Sequence, residues 1–227
     1  LLQTEAAEQQ ILAIGKLRPP EPSKVFGLKE RLKGDIERGA VSVQEDATRS
    51  VVTFRGAGGK SFISGTDIAH FQDFRDGHDG LAYETFVERV IDAVERIPVP
   101  TVAVIEGWCV GGGLALATAC DFRVCSTGSR FGAPIAKTLS NTLSSRNIAR
   151  LVAALGVPRV KRMLMLADYL SADEALACGF VHTAMPAELL HDHAHALVQR
   201  LMGLSETTQA AVKESVRRIV VEQSLAD

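Results

Sequence analysis

The sequence predicts an α/β domain that continues into a largely helical C-terminal part. Three observations lead to this fold class. Short apolar runs typical of buried strands alternate with stretches of helical periodicity. Glycine-rich turns follow two of these strands, at residues 55–60 and from Gly107 onward. The C-terminal part of the chain has helical periodicity almost throughout. A chain of 227 residues is long enough for one large domain with a substantial core.

The elements of the first half follow from short local patterns. Residues 11–17 alternate partly and predict a strand, which the proline-rich RPPEP segment stops. Apolar residues at helical spacing predict a helix over 24–38. Residues 50–54 form an apolar run typical of a buried strand. An amphipathic helix is predicted over 81–97, where Pro98 ends it.

The second half begins with a strand and becomes mostly helical. Thr101–Ile105 is entirely apolar after its first residue and predicts a buried strand that leads into the glycine loop. Residues 121–125 predict another strand, and residues 180–184 a short one between helices. Helical patterns predict further helices at 147–155, 158–167, 172–178, 187–202 and 206–223.

Composition argues against several classes of function. The chain has 25 Lys and Arg against 27 Asp and Glu, so its charge gives no reason to expect nucleic acid or an anionic membrane as a partner. The longest apolar stretch is interrupted at Glu106, far short of a membrane span. The four cysteines contain no C-x-x-C pair, so we expect no metal site and a reducing, cytoplasmic location without a signal peptide.

Two segments repeat one design, in which a buried strand runs into a loop of glycine and small residues. One loop contains Phe62–Ile68, and the other begins at Gly107 and contains Gly111–Gly113. A helix that starts in such a loop exposes backbone N–H groups, and two such starts brought together make an oxyanion hole. The spacing is equally compatible with glycines that only permit close helix-to-sheet packing, with Gly65 in a left-handed turn.

Four sequence blocks occur in the order RGAGGKSFISGTDI, VPTVAVIEGWCVGGGL, ACDFRV and RFGAP. Together they resemble the enoyl-CoA hydratase/isomerase (crotonase) superfamily. Two later blocks, LSADEALACGFVH and AVKES, are similar to the family's later segments, so the resemblance covers about residues 50–220.

The resemblance implies a crotonase-like spiral of β-β-α turns, with C-terminal helices used for trimerisation. It divides the chain into a core with the CoA and acyl site at 1–185 and oligomerisation helices at 186–227. Members bind coenzyme A thioesters, so we expect an acyl-CoA partner, no cofactor other than the coenzyme A of the substrate, and a homotrimer or dimer of trimers. The two oxyanion donors correspond to the backbone N–H groups of Thr66 and Gly112, and the CoA contacts to Ser64, Gly65 and Lys24.

The sequence departs from the family at the two catalytic glutamates of its hydratases. Ala115 stands two residues after the last glycine, and Ile135 follows the proline of the F-G-x-P block. Neither side chain can donate or accept a proton, and general acid–base catalysis contributes about 10²–10⁴-fold. Lys24, with Ser23, also replaces the usual residues of the N-terminal CoA block.

Three residues are candidates to supply the missing polar chemistry. Asn141 and Ser144 lie in the hydroxyl-rich segment that lines the acyl pocket by family position, and His70 follows the first donor loop. The alternatives are that Ser144 or Ser145 caps the following helix and that His70 is a solvated loop residue.

Two functions of different classes follow from these patterns. One is a CoA-thioester enzyme of the hydratase/isomerase type with atypical acid/base groups, for example an isomerase, decarboxylase or retro-aldol lyase. The other is a catalytically silent acyl-CoA-binding subunit. The loss of both glutamates favours the second, whereas two retained donor loops favour the first, which we prefer.

Overall fold

The part of the chain that the structure describes forms two β-sheets with helices packed around them. A computed structural model describes residues 41–45, 50–56, 59–63, 77–138 and 143–222. The strands are β1 (Val41–Glu45), β2 (Ser50–Arg55), β3 (Ser61–Ile63), β4 (Thr101–Ile105), β5 (Trp108–Val110), β6 (Phe122–Ser126), β7 (Arg130–Gly132), β8 (Leu170–Ser171) and β9 (Thr183–Met185). The helices are α1 (Gly77–Glu95), α2 (Gly112–Ala119), α3 (Ile135–Thr138), α4 (Ser145–Leu155), α5 (Val157–Met165), α6 (Ala172–Ala177), α7 (Ala187–Met202) and α8 (Glu206–Arg217), with a π-helical turn at Arg218–Glu222.

The strand order shows the expected spiral. One sheet has the order β1-β2-β4-β6-β9 and the other the order β3-β5-β7-β8. The β2, β4 and β6 strands pair in parallel, and β3, β5 and β7 pair in parallel in the second sheet. Each strand of the first set is followed in the chain by one of the second set, so the backbone advances by one β-β unit at each turn. Helices α1, α2 and α3 come after successive units, which makes the repeat β-β-α.

The central strand β4 separates two hydrophobic clusters. Val102 and Val104 pack with residues of α7 on one face of the sheet, whereas Ala103 and Ile105 belong to the larger cluster that includes α1, α2 and α4. All five residues of β4 are buried. This explains why the strand reads as a continuous apolar run rather than an alternating one, since both faces are covered.

Several predicted elements agree with the structure. The strand at 101–105 and the helix at 187–202 have the predicted bounds. The strand predicted at 121–125 is β6, one residue later, and the one predicted at 180–184 is β9 at Thr183–Met185. The predicted strand at 11–17 and the helix at 24–38 lie outside the described residues.

Other predictions of element bounds were wrong. The predicted helix 206–223 is α-helical only to Arg217 and continues as the π-helical turn. Helix α1 begins at Gly77 and ends at Glu95, earlier at both ends than predicted. The sequence reading also missed β3, β5 and β7, because three-residue strands are too short to show a period of two. Within the described part of the chain, no helix has both the length and the apolar character needed to cross a bilayer.

Candidate active site

The start of α2 presents backbone N–H groups that the helix itself does not satisfy. Gly111 is the N-cap, with φ 57°, and its N–H donates to the Gly132 carbonyl of β7 at 2.9 Å. The first backbone bond of the helix runs from the Ala115 N–H to the Gly111 carbonyl at 3.1 Å. The N–H groups of Gly112 and its two successors therefore have no acceptor within the helix, and the helix dipole adds partial positive charge there. Among the described residues, no side chain caps this end.

The three consecutive glycines serve different purposes. Gly111 has a positive φ of 57°, which glycine adopts more readily than any residue with a Cβ. Gly113 lies against β3, where an added Cβ would be 2.2 Å from the Ile63 carbonyl oxygen and 2.8 Å from the Ile63 Cβ. Close helix-to-sheet packing therefore accounts for Gly113 but not for Gly111. Gly112, the predicted oxyanion donor, is the first residue of α2.

The contact between Gly113 and Ile63 holds the start of α2 against the end of β3. Ile63 is the last residue of β3, and Ser64, Gly65 and Thr66 follow it in the sequence. The predicted residues Lys24, Ser64, Gly65, Thr66, His70 and Asn141 are themselves outside the described residues.

One of the two positions that lack glutamates, Ala115, lines a small cavity. Ala115 is partly buried in the first turns of α2, and Ile135 begins α3 two residues after Ala133. Ala115 and Ala133 both line a cavity of about 10 Å³ that also touches Gly111 and Asn147. Thr118 and Arg150 also line this cavity, and the alanine side chain at position 115 brings neither an acid nor a base to it.

Ser144 caps helix α4. Its Oγ accepts a hydrogen bond from the Asn147 N–H at 3.3 Å, and its own N–H donates to the Glu84 Oε2 at 3.4 Å. The alternative that Ser144 is a helix cap is therefore seen in the structure. A cap hydroxyl that accepts from the backbone keeps its own proton free to donate, so a role in the acyl pocket stays a prediction.

A buried charge network that the sequence reading missed lies beside this cavity. Arg150 is 3% exposed and donates from Nε and Nη2 to the two carboxylate oxygens of Glu95, both at 2.8 Å, and from Nη2 to Asp92 at 2.6 Å. Its Nη1 donates to the Asn147 Oδ1 at 3.0 Å. Burial alone would lower the pKa of Arg150, because it disfavours the charged guanidinium. The hydrogen bonds to Glu95 and Asp92 and the negative charges of these two carboxylates together outweigh burial and raise the pKa of Arg150.

Glu84 is a second group that the sequence reading missed. Burial raises the pKa of this carboxyl, the hydrogen bond from Ser144 partly counteracts the increase, and Glu88 adds to it. The signal available in the sequence was a carboxylate on the helix that packs near the predicted acyl loop. That signal is weak, because Glu84 is one of several acidic residues in α1.

The buried cysteines do not supply a nucleophile. Burial raises the pKa of Cys120 and of Cys125 to about 12 and raises that of Cys109 as well, so these thiols stay protonated near neutrality. Across the described ranges, no cluster of three or more His, Cys, Asp or Glu side chains has the arrangement of a metal site.

Comparison with known proteins identifies the family. The model of the family described as enoyl-CoA hydratase/isomerase matches residues 8–226. The chain belongs to this family. A crotonyl-CoA hydratase of Syntrophomonas wolfei is 27% identical over 200 residues, which cover 86% of this chain and 76% of the relative.

Solved structures of this family share the fold. An enoyl-CoA hydratase of Bacillus anthracis, 27% identical, has a TM-score of 0.69 and aligns over 88% of this chain and 76% of its own. An enoyl-CoA hydratase/carnithine racemase of Magnetospirillum magneticum has a TM-score of 0.71 at 24% identity, over 79% of this chain and 80% of its own. The enoyl-CoA hydratase/isomerase fold predicted from the sequence blocks is therefore confirmed.

Proposed function

We propose that this protein binds an acyl-CoA thioester and stabilises its enolate between the backbone N–H groups of Thr66 and Gly112. The observation that carries the proposal is the start of α2, where N–H groups without intrahelical acceptors lie directly against the end of β3. Membership of the enoyl-CoA hydratase/isomerase family supports the substrate class.

The chemistry follows from the two donors. When a proton leaves the carbon next to the thioester carbonyl, negative charge moves onto the carbonyl oxygen. Two fixed N–H groups and the positive end of α2 stabilise that charge more than they stabilise the neutral ground state. Ser64, Gly65 and Lys24 bind the CoA part in this proposal, and no cofactor beyond the coenzyme A of the substrate takes part.

The absence of glutamates at positions 115 and 135 narrows the range of reactions expected of this site. Ala115 and Ile135 cannot move a proton, so the usual two-glutamate hydration is not expected. Reactions that need an enolate and a single base, namely isomerisation, decarboxylation or retro-aldol cleavage, suit the site better. His70, Asn141 and Ser144 are the polar candidates near the acyl group.

A silent acyl-CoA-binding subunit is the second candidate function. The same two residues, Ala115 and Ile135, favour it. The candidates are distinguished by incubating the protein with a panel of acyl- and enoyl-CoA thioesters in D₂O and following them by mass spectrometry. Deuterium next to the thioester carbonyl indicates an enolate, whereas CoA binding without exchange or product indicates the silent subunit.

The variant Gly112→Val tests the oxyanion assignment. The added side chain obstructs the approach of the thioester oxygen to the N–H group, and loss of one such donor costs about 3–4 kcal/mol of transition-state stabilisation. We expect deuterium exchange to fall by at least about 10²-fold while circular dichroism stays unchanged. Unchanged exchange in a folded Gly112→Val protein would show that Gly112 is not a donor.

We also propose that α8 and the following π-helical turn contribute to a homotrimer or a dimer of trimers. Val212, Val216 and Ile219 are 56%, 52% and 60% exposed. Their spacing places them on one side of the helix, which gives an apolar stripe suited to contact with another subunit. Light scattering tests this proposal, and a monomer would contradict it.

A cytoplasmic location is proposed from the free thiols of Cys109, Cys120 and Cys125.

A further inference from the structure

A guanidinium group closes the C-terminal end of α2. Arg123, on β6, donates from Nη1 to the Cys120 carbonyl at 2.6 Å and to the Ala117 carbonyl at 2.9 Å. The same nitrogen lies 3.5 Å from the Thr118 carbonyl. The end of a helix leaves such carbonyls without an N–H partner, and the helix dipole places partial negative charge there. A cation is therefore favourable at this end of α2.

Within the described part of the chain, the hydrogen bonds of Arg123 all go to backbone carbonyls. Its Nε donates to the Phe180 carbonyl, and its Nη2 lies 3.5 Å from the Asp121 carbonyl. The Asp121 carboxylate instead accepts from the Lys213 Nζ at 2.7 Å and from the Thr101 N–H at 2.8 Å. Burial lowers the pKa of Arg123, but a guanidinium remains charged at neutral pH. Asp121 and Lys213 offset each other, so these three side chains leave one positive charge at the end of α2.

The other side of Arg123 connects it to the start of the same helix. Its guanidinium carbon lies 4.9 Å from the centre of the Phe180 ring, and Phe180 packs edge-on against Phe131 with ring centroids 5.5 Å apart. Phe131 precedes Gly132 in β7, and the Gly132 carbonyl accepts the N–H of the N-cap Gly111. One framework therefore fixes the positive charge at one end of α2 and the direction of the helix at the other.

The length of α2 determines how strongly this charge acts at the proposed oxyanion site. The helix has eight residues, which at about 1.5 Å each span about 12 Å. Two unit charges about 12 Å apart, at the effective dielectric constant of about 20 typical near a protein surface, interact enough to change a rate constant about tenfold. The partial negative charge at the end of α2 would act against an enolate, and Arg123 more than offsets it.

We propose that Arg123 is a positioning residue of the oxyanion site, which acts through α2 by holding one positive charge at the far end of the helix. This inference rests on the proposed function, because it requires a thioester enolate at the Gly112 N–H. The charge stabilises the negative enolate oxygen more than it stabilises the neutral carbonyl of the ground state, so it increases the rate of enolate formation. Arg123 moves no proton in this proposal.

Two variants of Arg123 separate its charge from its hydrogen bonds. Exchange of deuterium next to the thioester carbonyl is followed in D₂O with acetyl-, butyryl- and hexanoyl-CoA at saturation, which separates kcat from KM. Arg123→Met should lower kcat about tenfold. Arg123→Lys keeps the charge but loses the planar fork, so it should be less stable in urea and yet keep kcat within about threefold of the wild type. A kcat that falls equally in both variants, or in neither, would overturn the inference.

Asp121→Asn should change rate and stability in opposite directions. Asparagine keeps an oxygen for Thr101 and Lys213 but removes the negative charge, which makes the end of α2 more positive. Stability in urea should fall because Lys213 loses its charged partner, whereas kcat for exchange should rise about two- to tenfold. A merely structural role predicts that both fall. A kcat that is unchanged or lower in a folded Asp121→Asn protein would overturn the inference, and this test holds even if the Arg123 variants fail to fold.

Arg162→Met provides the matched control for loss of a positive charge. Arg162 lies on α5, where its side chain is 38% exposed and pairs with Glu174 at 2.6 Å. Solvent screens such a charge, so kcat should stay within about twofold of the wild type. A tenfold fall in this variant would overturn the inference, because any lost cation would then have the same effect. Circular dichroism establishes folding for each variant.

The wild-type protein distinguishes failure of this inference from failure of the proposed function. A wild type that exchanges deuterium into none of the three thioesters would overturn the enolate-forming function, and this inference with it. A wild type that exchanges deuterium, with variants of Arg123 and Asp121 that exchange at the same rate, would overturn this inference alone.

Discussion

Replacing Gly113 by alanine should disturb both the stability of the protein and the geometry of the oxyanion site. The added Cβ would lie 2.2 Å from the Ile63 carbonyl oxygen, whereas ordinary contact begins near 3.4 Å. Helix α2 must therefore move away from β3 by about 1.2 Å. Both partners in this contact are backbone or Cβ atoms, so no flexible side chain can relieve it. Overpacking of this kind costs about 1–3 kcal/mol.

The same movement separates the two proposed donors. Gly112 moves with α2, and Thr66 follows β3 by three residues. A misplacement of about 1 Å in a catalytic site costs about 10²-fold in rate. Gly113→Ala should thus lower α-deuterium exchange into a bound thioester by about that factor, even under conditions in which the variant is fully folded.

Gly80 provides the matched control. It lies within α1, where an added Cβ meets nothing within 4 Å. The same change from glycine to alanine should there increase the free energy of unfolding by about 0.5–1 kcal/mol, because alanine favours the helix. Urea unfolding gives both free energies. If Gly113→Ala is as stable as the wild type and exchanges deuterium at the same rate, the contact with Ile63 does not position α2.

Two further changes test the electrostatics around the site. Arg150→Met leaves the carboxylates of Asp92 and Glu95 without their buried partner and should lower the free energy of unfolding by about 3–5 kcal/mol, as measured in urea. Arg146 provides the control, because its side chain is 22% exposed and bonds to Asp92 at 3.3 Å. Arg146→Met should lower the free energy of unfolding by only about 0–1 kcal/mol. Equal losses in the two variants would contradict the special importance of the buried Arg150 network. Glu84 has a raised pKa in the folded protein, so its contribution to stability is present at low pH and is lost as the pH rises through that folded-state pKa. Glu84→Gln should therefore raise the melting temperature relative to the wild type more at neutral pH than in acid, where the Glu84 carboxyl is protonated in both the folded and the unfolded protein, and a difference independent of pH would refute the assignment.

The strands and helices that were predicted well are those with a strong local signal. Strand β4 is apolar because both of its faces are covered, and α7 has a regular apolar stripe that packs against the sheet. The bounds of α4 were harder to predict, because they depend on which serine caps the helix. Strands β3, β5 and β7 owe their conformation to pairing with one another, and their three residues carry too little local pattern to show it.

The glycine loop also combines a feature that the sequence predicted with details that only the structure assigned. Three successive glycines predicted a special backbone, but they could not show whether ligand access or packing required it. The structure assigns a positive φ to Gly111 and the close approach of Ile63 to Gly113. The predicted role of Gly112 as an oxyanion donor remains a prediction, supported by its place at the start of α2.

The sequence by itself determined the family, the places of the strands and helices with a strong local pattern, and the absence of glutamates at positions 115 and 135. These properties depend on residue identity and on periodicity over a few neighbouring residues. Only the tertiary structure decided which charges are paired. Arg150 binds Glu95 and Asp92, which are 55 and 58 residues away in the chain, and this pairing is what turns the Asn147 carbonyl toward Arg150. Such an arrangement depends on how α1 and α4 pack together, because a hydrogen bond is set by distance in space and not by separation along the chain.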